Sequence, residues 1–139
     1  MGVCQCRIKN LKSRPIYGKF PLSDVTARII AAAQEVHHTL GPGFEEVFYQ
    51  RALAMELPAQ GLGFSGEVWM EVHYKDKKLG SKRGDFIIEG VMVEIKAKAA
   101  LDEVDFIQTL SYLKASGFEV GLLLNFGAKS LEIRRLVNG

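Results

Sequence analysis

Residues 84–96 constrain the fold of this chain most, because two apolar runs rich in β-branched residues flank the dipeptide Glu89-Gly90. Two such runs joined by a two-residue loop that contains glycine predict a β-hairpin. In this register two carboxylates, Asp85 and Glu94, stand directly opposite each other, whereas a slip of one residue would put them on opposite faces. The predicted pairs are Ile88 with Val91, Ile87 with Met92, Phe86 with Val93 and Asp85 with Glu94.

The two faces of this hairpin differ in chemistry, because successive side chains of a strand point to opposite sides. We expect the apolar face to lie in the core. On the other face, like charges directly opposite each other destabilise a sheet unless something compensates them. The apolar face carries Phe86, Ile88, Val91, Val93, Ile95 and Ala97, and the other face carries Asp85, Ile87, Met92, Glu94, Lys96 and Lys98.

Two interpretations of the charged face remain open. One is a hairpin whose charged side is simply solvated. The other is a site for a divalent cation such as Mg²⁺, which takes oxygen ligands and often one or two carboxylates. In that case Lys96, on the same face as Asp85 and Glu94, would orient a water molecule or stabilise developing negative charge.

Composition and length indicate one soluble globular domain. Of the 139 residues, 47% are hydrophobic and 24% are charged, which is ordinary for this class. No run approaches the ~18 apolar residues of a membrane span, so we expect no membrane contact and a cytoplasmic location. The two cysteines, Cys4 and Cys6, have neither a second pair nor a histidine nearby to complete a zinc site, and we interpret them as reduced and incidental.

Charge is distributed unevenly along the chain. Residues 1–20 hold five basic and no acidic side chains, whereas the rest has 13 basic against 16 acidic residues, a net charge of −3. We interpret residues 1–21 as a flexible basic arm, which could also contact nucleic acid or act in targeting, and residues 22–139 as the folded domain. A mildly acidic domain is not typical of a strong nonspecific DNA binder, so any grip on nucleic acid must be local or metal-assisted.

Three helices are predicted from apolar periodicity and end signals. The first spans residues 23–39 with Ser23 as its N-cap, and the second runs from about residue 44 to residue 57, because Pro58 disfavours helical geometry before it. The third spans residues 103–116 behind the cap Asp102, and its widely spread apolar side chains predict burial against the sheet. Glu46, Tyr49, Gln50 and Leu53 share one stripe of the second helix, and Asp105, Gln108 and Tyr112 form a polar stripe on the third.

The predicted strands complete an α/β sandwich. Residues 68–75 alternate, turn at 75–78, and continue through residues 79–80 into the hairpin, which makes an antiparallel meander of three strands. Residues 119–125 predict a buried strand that pairs parallel with 91–97 through a right-handed crossover, and residues 131–137 predict an edge strand.

The chain resembles the GxxExxY family, small bacterial and archaeal domains of the PD-(D/E)XK nuclease superfamily. The resemblance covers residues 22–137, with two departures, Gly84 before the aspartate and Pro58 in the second helix. It rests on Val36-His37, Leu40-Gly41-Pro42-Gly43-Phe44, Glu46, Tyr49, Leu53, Val72-His73-Tyr74-Lys75, Lys78-Leu79-Gly80, Arg83, Asp85, Glu94-Ile95-Lys96-Ala97, Gln108, Tyr112-Leu113-Lys114 and Gly121-Leu122-Leu123-Leu124-Asn125-Phe126-Gly127.

This resemblance implies a three-layer restriction-endonuclease-like fold with a mixed sheet and an αβββαβ core. It implies a Mg²⁺- or Mn²⁺-dependent nuclease that hydrolyses phosphodiester bonds of DNA or RNA. The implied metal ligands are Asp85, Glu94 and the main-chain carbonyl of Ile95. The implied catalytic residues also include Lys96, which positions water or stabilises the transition state, and Glu46 as an accessory carboxylate, with Gln108, Tyr112 and Tyr49 as further accessory residues.

A second hypothesis belongs to a different class. Because one fold can host many functions, the chain could be a noncatalytic adaptor that keeps the nuclease fold and binds nucleic acid or a protein. The small size of the domain also leads us to expect a homodimer or a protein partner that completes a nucleic-acid groove.

Overall fold

The computed structural model describes residues 22–138 of the chain. The predicted flexible arm and both cysteines lie outside these residues. Within them the chain forms three α-helices, one short 3₁₀ turn and a single five-stranded sheet. In chain order the elements are α1 (Ser23–Leu40), α2 (Glu46–Glu56), the 3₁₀ turn (Pro58–Gln60), β1 (Phe64–Tyr74), β2 (Lys77–Ile88), β3 (Val91–Lys96), α3 (Glu103–Ser116), β4 (Val120–Asn125) and β5 (Glu132–Val137).

The five strands lie in the sheet in the order in which they occur in the chain. The pairs β1–β2, β2–β3 and β4–β5 are antiparallel, and β3 and β4 are parallel because α3 carries the chain back across the sheet. This arrangement confirms the predicted meander, the parallel central pair and the final edge strand. The mixed α/β sandwich predicted from the sequence is therefore confirmed.

The central hairpin has the predicted turn. Ile88 pairs with Val91, and the two turn residues have positive φ angles, 45° at Glu89 and 90° at Gly90, as a type I′ turn requires. The ladder between β2 and β3 ends at Phe86 and Val93, so the fourth predicted pair, Asp85 with Glu94, is not part of it. Beyond the Phe86–Val93 pair, the Ile95 main-chain N–H donates a hydrogen bond to the Asp85 side chain instead of to the main chain of β2.

The core forms two layers, one on each face of the sheet. Helices α1 and α2 cover one face, where the predicted apolar face of the hairpin is buried, which confirms that prediction. A smaller cluster, made of Met70, Met92, Leu113 and Leu136, joins the other face to α3. None of the described helices combines the length and apolar character needed to cross a lipid bilayer.

The observed starts of the first two helices differ from the predicted ones. Ser23 is the first helical residue of α1 rather than its cap, because Leu22 precedes the helix with a φ of 58° and no side chain caps the end. Helix α2 begins at Glu46 rather than at residue 44. By contrast, Asp102 caps α3 as predicted, since its side chain accepts a bond from the Asp105 N–H while the Asp105 side chain accepts one from the Asp102 N–H.

The predicted burial of α3 against the sheet holds for only part of its apolar residues. Its apolar residues Val104 and Ile107 are 70% and 54% exposed, whereas the polar residues Asp105 and Thr109 are buried. The capping box holds Asp105 inward, where it also accepts a 2.7 Å bond from the Lys98 ammonium group. The predicted polar stripe is therefore split, with Asp105 buried and Gln108 exposed.

Candidate active site

Three carboxylates are brought together where β2 and β3 separate. Asp85 stands near the end of β2 and accepts two hydrogen bonds, from the Gln50 amide to Oδ1 at 2.6 Å and from the Ile95 main-chain N–H to Oδ2 at 2.8 Å. The same Gln50 nitrogen lies 3.5 Å from Oε1 of Glu46, the first residue of α2. A side chain from α2 thus joins Asp85 to Glu46, while β3 contributes Glu94.

Glu94 is the most deeply buried of these carboxylates, with 4% of its surface exposed. Its Oε1 atom is buried without a hydrogen-bond partner among the described residues. That oxygen would lie 3.7 Å from a Cβ built on Gly84, and the same Cβ would meet the Met70 Cε atom at 3.2 Å. Glycine at this position therefore avoids a tight contact with the Met70 side chain next to the unpaired oxygen.

Burial and mutual repulsion both disfavour ionisation of this cluster. Burial, followed by the charge of Asp85, raises the pKa of Glu94 to about 7. Burial also raises the pKa of Asp85, and it is the main cause of the raised pKa of Glu46, with Asp85 the second. Positive charge brought to this place would stabilise all three carboxylates in their ionised form.

Two lysines supply part of that positive charge. The charges of Lys82 and Lys96 each lower the pKa values of Glu46, Asp85 and Glu94, which places both ammonium groups within electrostatic reach of the cluster. Lys96 is the last residue of β3, and the Lys82 ammonium group lies 4.7 Å from the ring centroid of Tyr112 on α3. The cluster is therefore flanked by cations from two strands.

The chain directly after Lys96 is held by the end of β4. The Lys96 carbonyl accepts a 2.9 Å bond from the Phe126 N–H, and the buried Asn125 amide bonds both the N–H and the carbonyl of Lys98, at 3.0 and 2.9 Å. Gly127 packs so tightly that an added Cβ would collide with the Lys98 main chain. These contacts fix the main chain that carries the Lys96 side chain.

A sequence model of the PD-(D/E)XK nuclease superfamily matches residues 23–136. The chain belongs to this superfamily. No match was found among curated proteins or among solved structures. Membership agrees with the restriction-endonuclease-like arrangement of the sheet and supports a nuclease-like function in general, and PD-(D/E)XK nucleases generally use divalent metals.

The remaining residues predicted for the PD-(D/E)XK site lie at different distances from it. Tyr49 is fully buried, and its hydroxyl donates to the Gly41 carbonyl at 2.6 Å and accepts from the Phe44 N–H at 3.2 Å, so it fixes the loop before α2. The Tyr112 ring contacts the ammonium group of Lys82, which in turn lies within electrostatic reach of the cluster. Gln108 is exposed on α3. The structure brings Asp85, Glu94, Lys96 and Glu46 together and leaves Tyr49 outside the group.

The donor set fits a hard divalent cation. No group of three or more His, Cys, Asp or Glu side chains within residues 22–138 could hold a metal ion. Mg²⁺, however, often takes only one or two carboxylates from a protein and completes its shell with water and phosphate. The unpaired Glu94 oxygen is free to bind such a cation. Each Asp85 oxygen also keeps a second lone pair for the cation, beyond the hydrogen bond that it accepts.

Sequence reasoning did not assign Gln50 or Lys82 to the PD-(D/E)XK site. The signal for Gln50 was present, because it stands four residues after Glu46 on the same helical stripe, where side chains are neighbours. Lys82 gave no local signal, since its effect on Glu46 and Glu94 depends on how β2, β3 and α2 come together. The contacts of Asn125 and Gly127 with the Lys98 main chain, which we call the clamp, also join distant parts of the chain.

Proposed function

We propose that this PD-(D/E)XK domain is a nuclease that hydrolyses nucleic-acid phosphodiester bonds in the presence of Mg²⁺ or Mn²⁺, and that it is a member of the GxxExxY family. The observation that carries this proposal is the buried, unpartnered Oε1 of Glu94 beside Asp85. Leaving such an oxygen unpaired is costly, and a cation bound between the two carboxylates would remove the cost. The alternative of a solvated charged face does not account for a carboxylate that is 4% exposed.

Each residue of the cluster has a role in this proposal. Asp85 and Glu94 would hold the cation together with the Ile95 carbonyl, and Gln50 fixes the orientation of Asp85 through its 2.6 Å bond. A divalent cation supplies positive charge that polarises the phosphate and makes water more acidic. Lys96 orients the attacking water or stabilises the negative charge that develops on the phosphate, and Glu46 is an accessory carboxylate at the rim.

Cleavage assays test the proposal directly. Labelled single-stranded DNA, duplex DNA and RNA are incubated with Mg²⁺, Mn²⁺ or EDTA. The wild type is compared with Asp85→Asn and Lys96→Ala, and the matched controls are Asp76→Asn in the exposed turn after β1 and Lys129→Ala after β4. We expect metal-dependent cutting by the wild type and both controls and at least a ~100-fold loss in the two site variants.

A measurement of stability distinguishes this function from a noncatalytic adaptor. A cation that binds the folded state alone raises the melting temperature as its concentration increases. We expect Mn²⁺ to raise the melting temperature of the wild type and of Asp76→Asn but not of Asp85→Asn. An absence of both cutting and metal-dependent stabilisation in the wild type would contradict the proposal and favour the adaptor.

A further inference from the structure

A small cavity opens beside the carboxylate cluster. It has a volume of about 200 Å³, and the residues that line it include Arg51 of α2, Arg83 of β2 and Asp85. Both arginines are exposed at this surface. The cavity is smaller than the ~300 Å³ at which pockets for whole drug-sized ligands begin, so it suits a single chemical group.

Two guanidinium groups at one cavity are typical of phosphate recognition. Each guanidinium offers N–H donors in a planar fork that matches phosphate oxygens, and arginine remains charged at any physiological pH. The Arg83 charge lowers the pKa of Asp85, so this guanidinium lies close to the cluster. A phosphodiester bound between Arg51 and Arg83 would therefore neighbour the one at the carboxylates.

An exposed aromatic ring continues this surface. Trp69 of β1 is directly opposite Arg83 in the β1–β2 ladder and is 65% exposed. Opposed residues of an antiparallel pair have their side chains on the same face, with Cβ atoms about 4.5–5.5 Å apart. An aromatic surface beside phosphate-binding cations is how proteins hold unpaired strands, since inside a duplex both faces of a base are already covered by its neighbours.

We propose that Arg51 and Arg83 bind a phosphate of the substrate strand next to the one that is cut, and that Trp69 stacks on a base of the same strand. We name these three residues the strand subsite. This inference rests on the proposed nuclease function and narrows its substrate to single-stranded nucleic acid. The net charge of −3 for residues 21–139 agrees with a local grip rather than a broad contact with duplex DNA.

Binding in EDTA tests the strand subsite without cleavage. The probes are a fluorescent oligothymidylate of about 12 nucleotides and a blunt fluorescent duplex of the same length. Fluorescence anisotropy measures the affinity for each probe over a range of salt concentrations. The variants are Arg51→Ala, the double variant Arg51→Ala with Arg83→Ala, and Trp69→Ala. The matched control is Arg134→Ala, which changes an exposed arginine of β5 at the opposite edge of the sheet from β1.

We expect the wild type and Arg134→Ala to bind the single strand more tightly than the duplex. The double variant should lose at least about tenfold in affinity for the single strand, and the slope of log K against log salt should fall by about 0.7 for each phosphate that the protein no longer neutralises. Trp69→Ala should weaken binding of the single strand more than binding of the duplex. Arg51→Ala alone, an exposed change on α2, should give part of the loss even if the double variant unfolds.

The proposal is overturned if the arginine variants bind as tightly as Arg134→Ala, or if Trp69→Ala weakens single-strand and duplex binding equally. A second arm uses Mg²⁺ and substrates that carry one neutral methylphosphonate linkage beside the cut bond. The neutral linkage should slow cutting by the wild type but not slow it further in the double variant. If nothing is cut, the nuclease function fails, whereas the binding results still decide whether the strand subsite exists.

Discussion

The Oε1 atom of Glu94 is a buried acceptor without a hydrogen-bond partner among the described residues, which destabilises the folded state. A buried carboxylate can avoid its desolvation penalty by holding a proton, by pairing with a cation, or by accepting hydrogen bonds. In the protein without metal, Glu94 holds a proton below about pH 7, because burial and the charge of Asp85 raise its pKa to about that value. Protonation and metal binding therefore compete for the same oxygen, and pH should control the affinity for the cation.

The proton held by Glu94 also makes the stability of the metal-free protein depend on pH. In the unfolded chain Glu94 ionises near its ordinary value of 4.5, whereas the folded protein holds the proton up to about pH 7. The stabilising effect is thus complete below pH 4.5 and is lost as pH rises to 7. Without metal, we expect the free energy of unfolding to fall by about 1.4 kcal/mol per pH unit in this interval, about 3 kcal/mol in all.

Glu94→Gln should remove the largest part of this dependence, because an amide does not titrate, and the raised pKa values of Asp85 and Glu46 account for the remainder. Urea unfolding in EDTA between pH 4 and pH 8 measures it, with Glu45→Gln at an exposed position as the control. The control should lose stability with rising pH as the wild type does. A wild type whose stability is flat over this interval would show that Glu94 is not the buried, proton-holding group described above.

At the scale of elements, α2 is the helix that contributes side chains to the site, namely Glu46 and Gln50. Gln50 is the contact between this helix and Asp85, and removing such an orienting partner of a metal ligand typically costs 10–100-fold in metal affinity or activity. We expect Gln50→Met, which keeps the length of the side chain, to fold normally but to need about 10–100-fold more Mn²⁺ for cutting and for thermal stabilisation. Gln34→Met on the exposed side of α1 should behave like the wild type.

The end of β4 provides a second prediction for an element. Gly127→Ala would drive a methyl group into the Lys98 nitrogen, so the main chain after Lys96 must move. We expect a loss of about 2–3 kcal/mol in the free energy of unfolding and a further loss of activity even at temperatures where the variant is folded. At Gly80 an added Cβ meets nothing within 4 Å, which makes Gly80→Ala the matched control. Equal stability of the two variants would exclude the clamp.

Elements were predictable from the sequence where local chemistry determines them. Alternation and the Glu89-Gly90 turn predicted the register of the hairpin, and the Asp102 cap predicted the start of α3. The burial of Asp105 in place of Val104 and Ile107 was not predictable, because the ion pair of Asp105 with Lys98 lies outside the apolar pattern of α3. The link from Gln50 to Asp85 was also hidden, since it joins residues 35 positions apart.

At the scale of the molecule, the parallel pairing of β3 with β4 followed from one helix between two buried strands, which leaves few other connections. The predicted metal pair followed from the same hairpin, since Asp85 and Glu94 meet wherever the turn closes at Glu89-Gly90. What the sequence could not supply was the end of the β2–β3 ladder at the Phe86–Val93 pair. Beyond that pair the Asp85 side chain accepts a hydrogen bond from the Ile95 N–H, and Asp85 and Glu94 do not form a ladder pair.

We expect the folded domain of the whole molecule to begin near residue 22. Among the described residues, the members of both core clusters lie between residues 22 and 136, and the superfamily match begins at residue 23. We expect a protein that lacks residues 1–21 to unfold in one cooperative transition within about 2 °C of the full chain, as measured by calorimetry. Metal-dependent stabilisation should also be unchanged. A large drop in melting temperature would place part of the fold in the basic arm.

Trp69 is the single tryptophan of the chain, and its ring is 65% exposed opposite Arg83. Light emitted by this protein on excitation of tryptophan therefore originates from one place on its surface, within the proposed strand subsite. A base stacked on the indole would quench that emission, so arrival and departure of a strand become visible in real time without any dye. The molecule carries its own optical reporter at the position where its substrate is expected to bind.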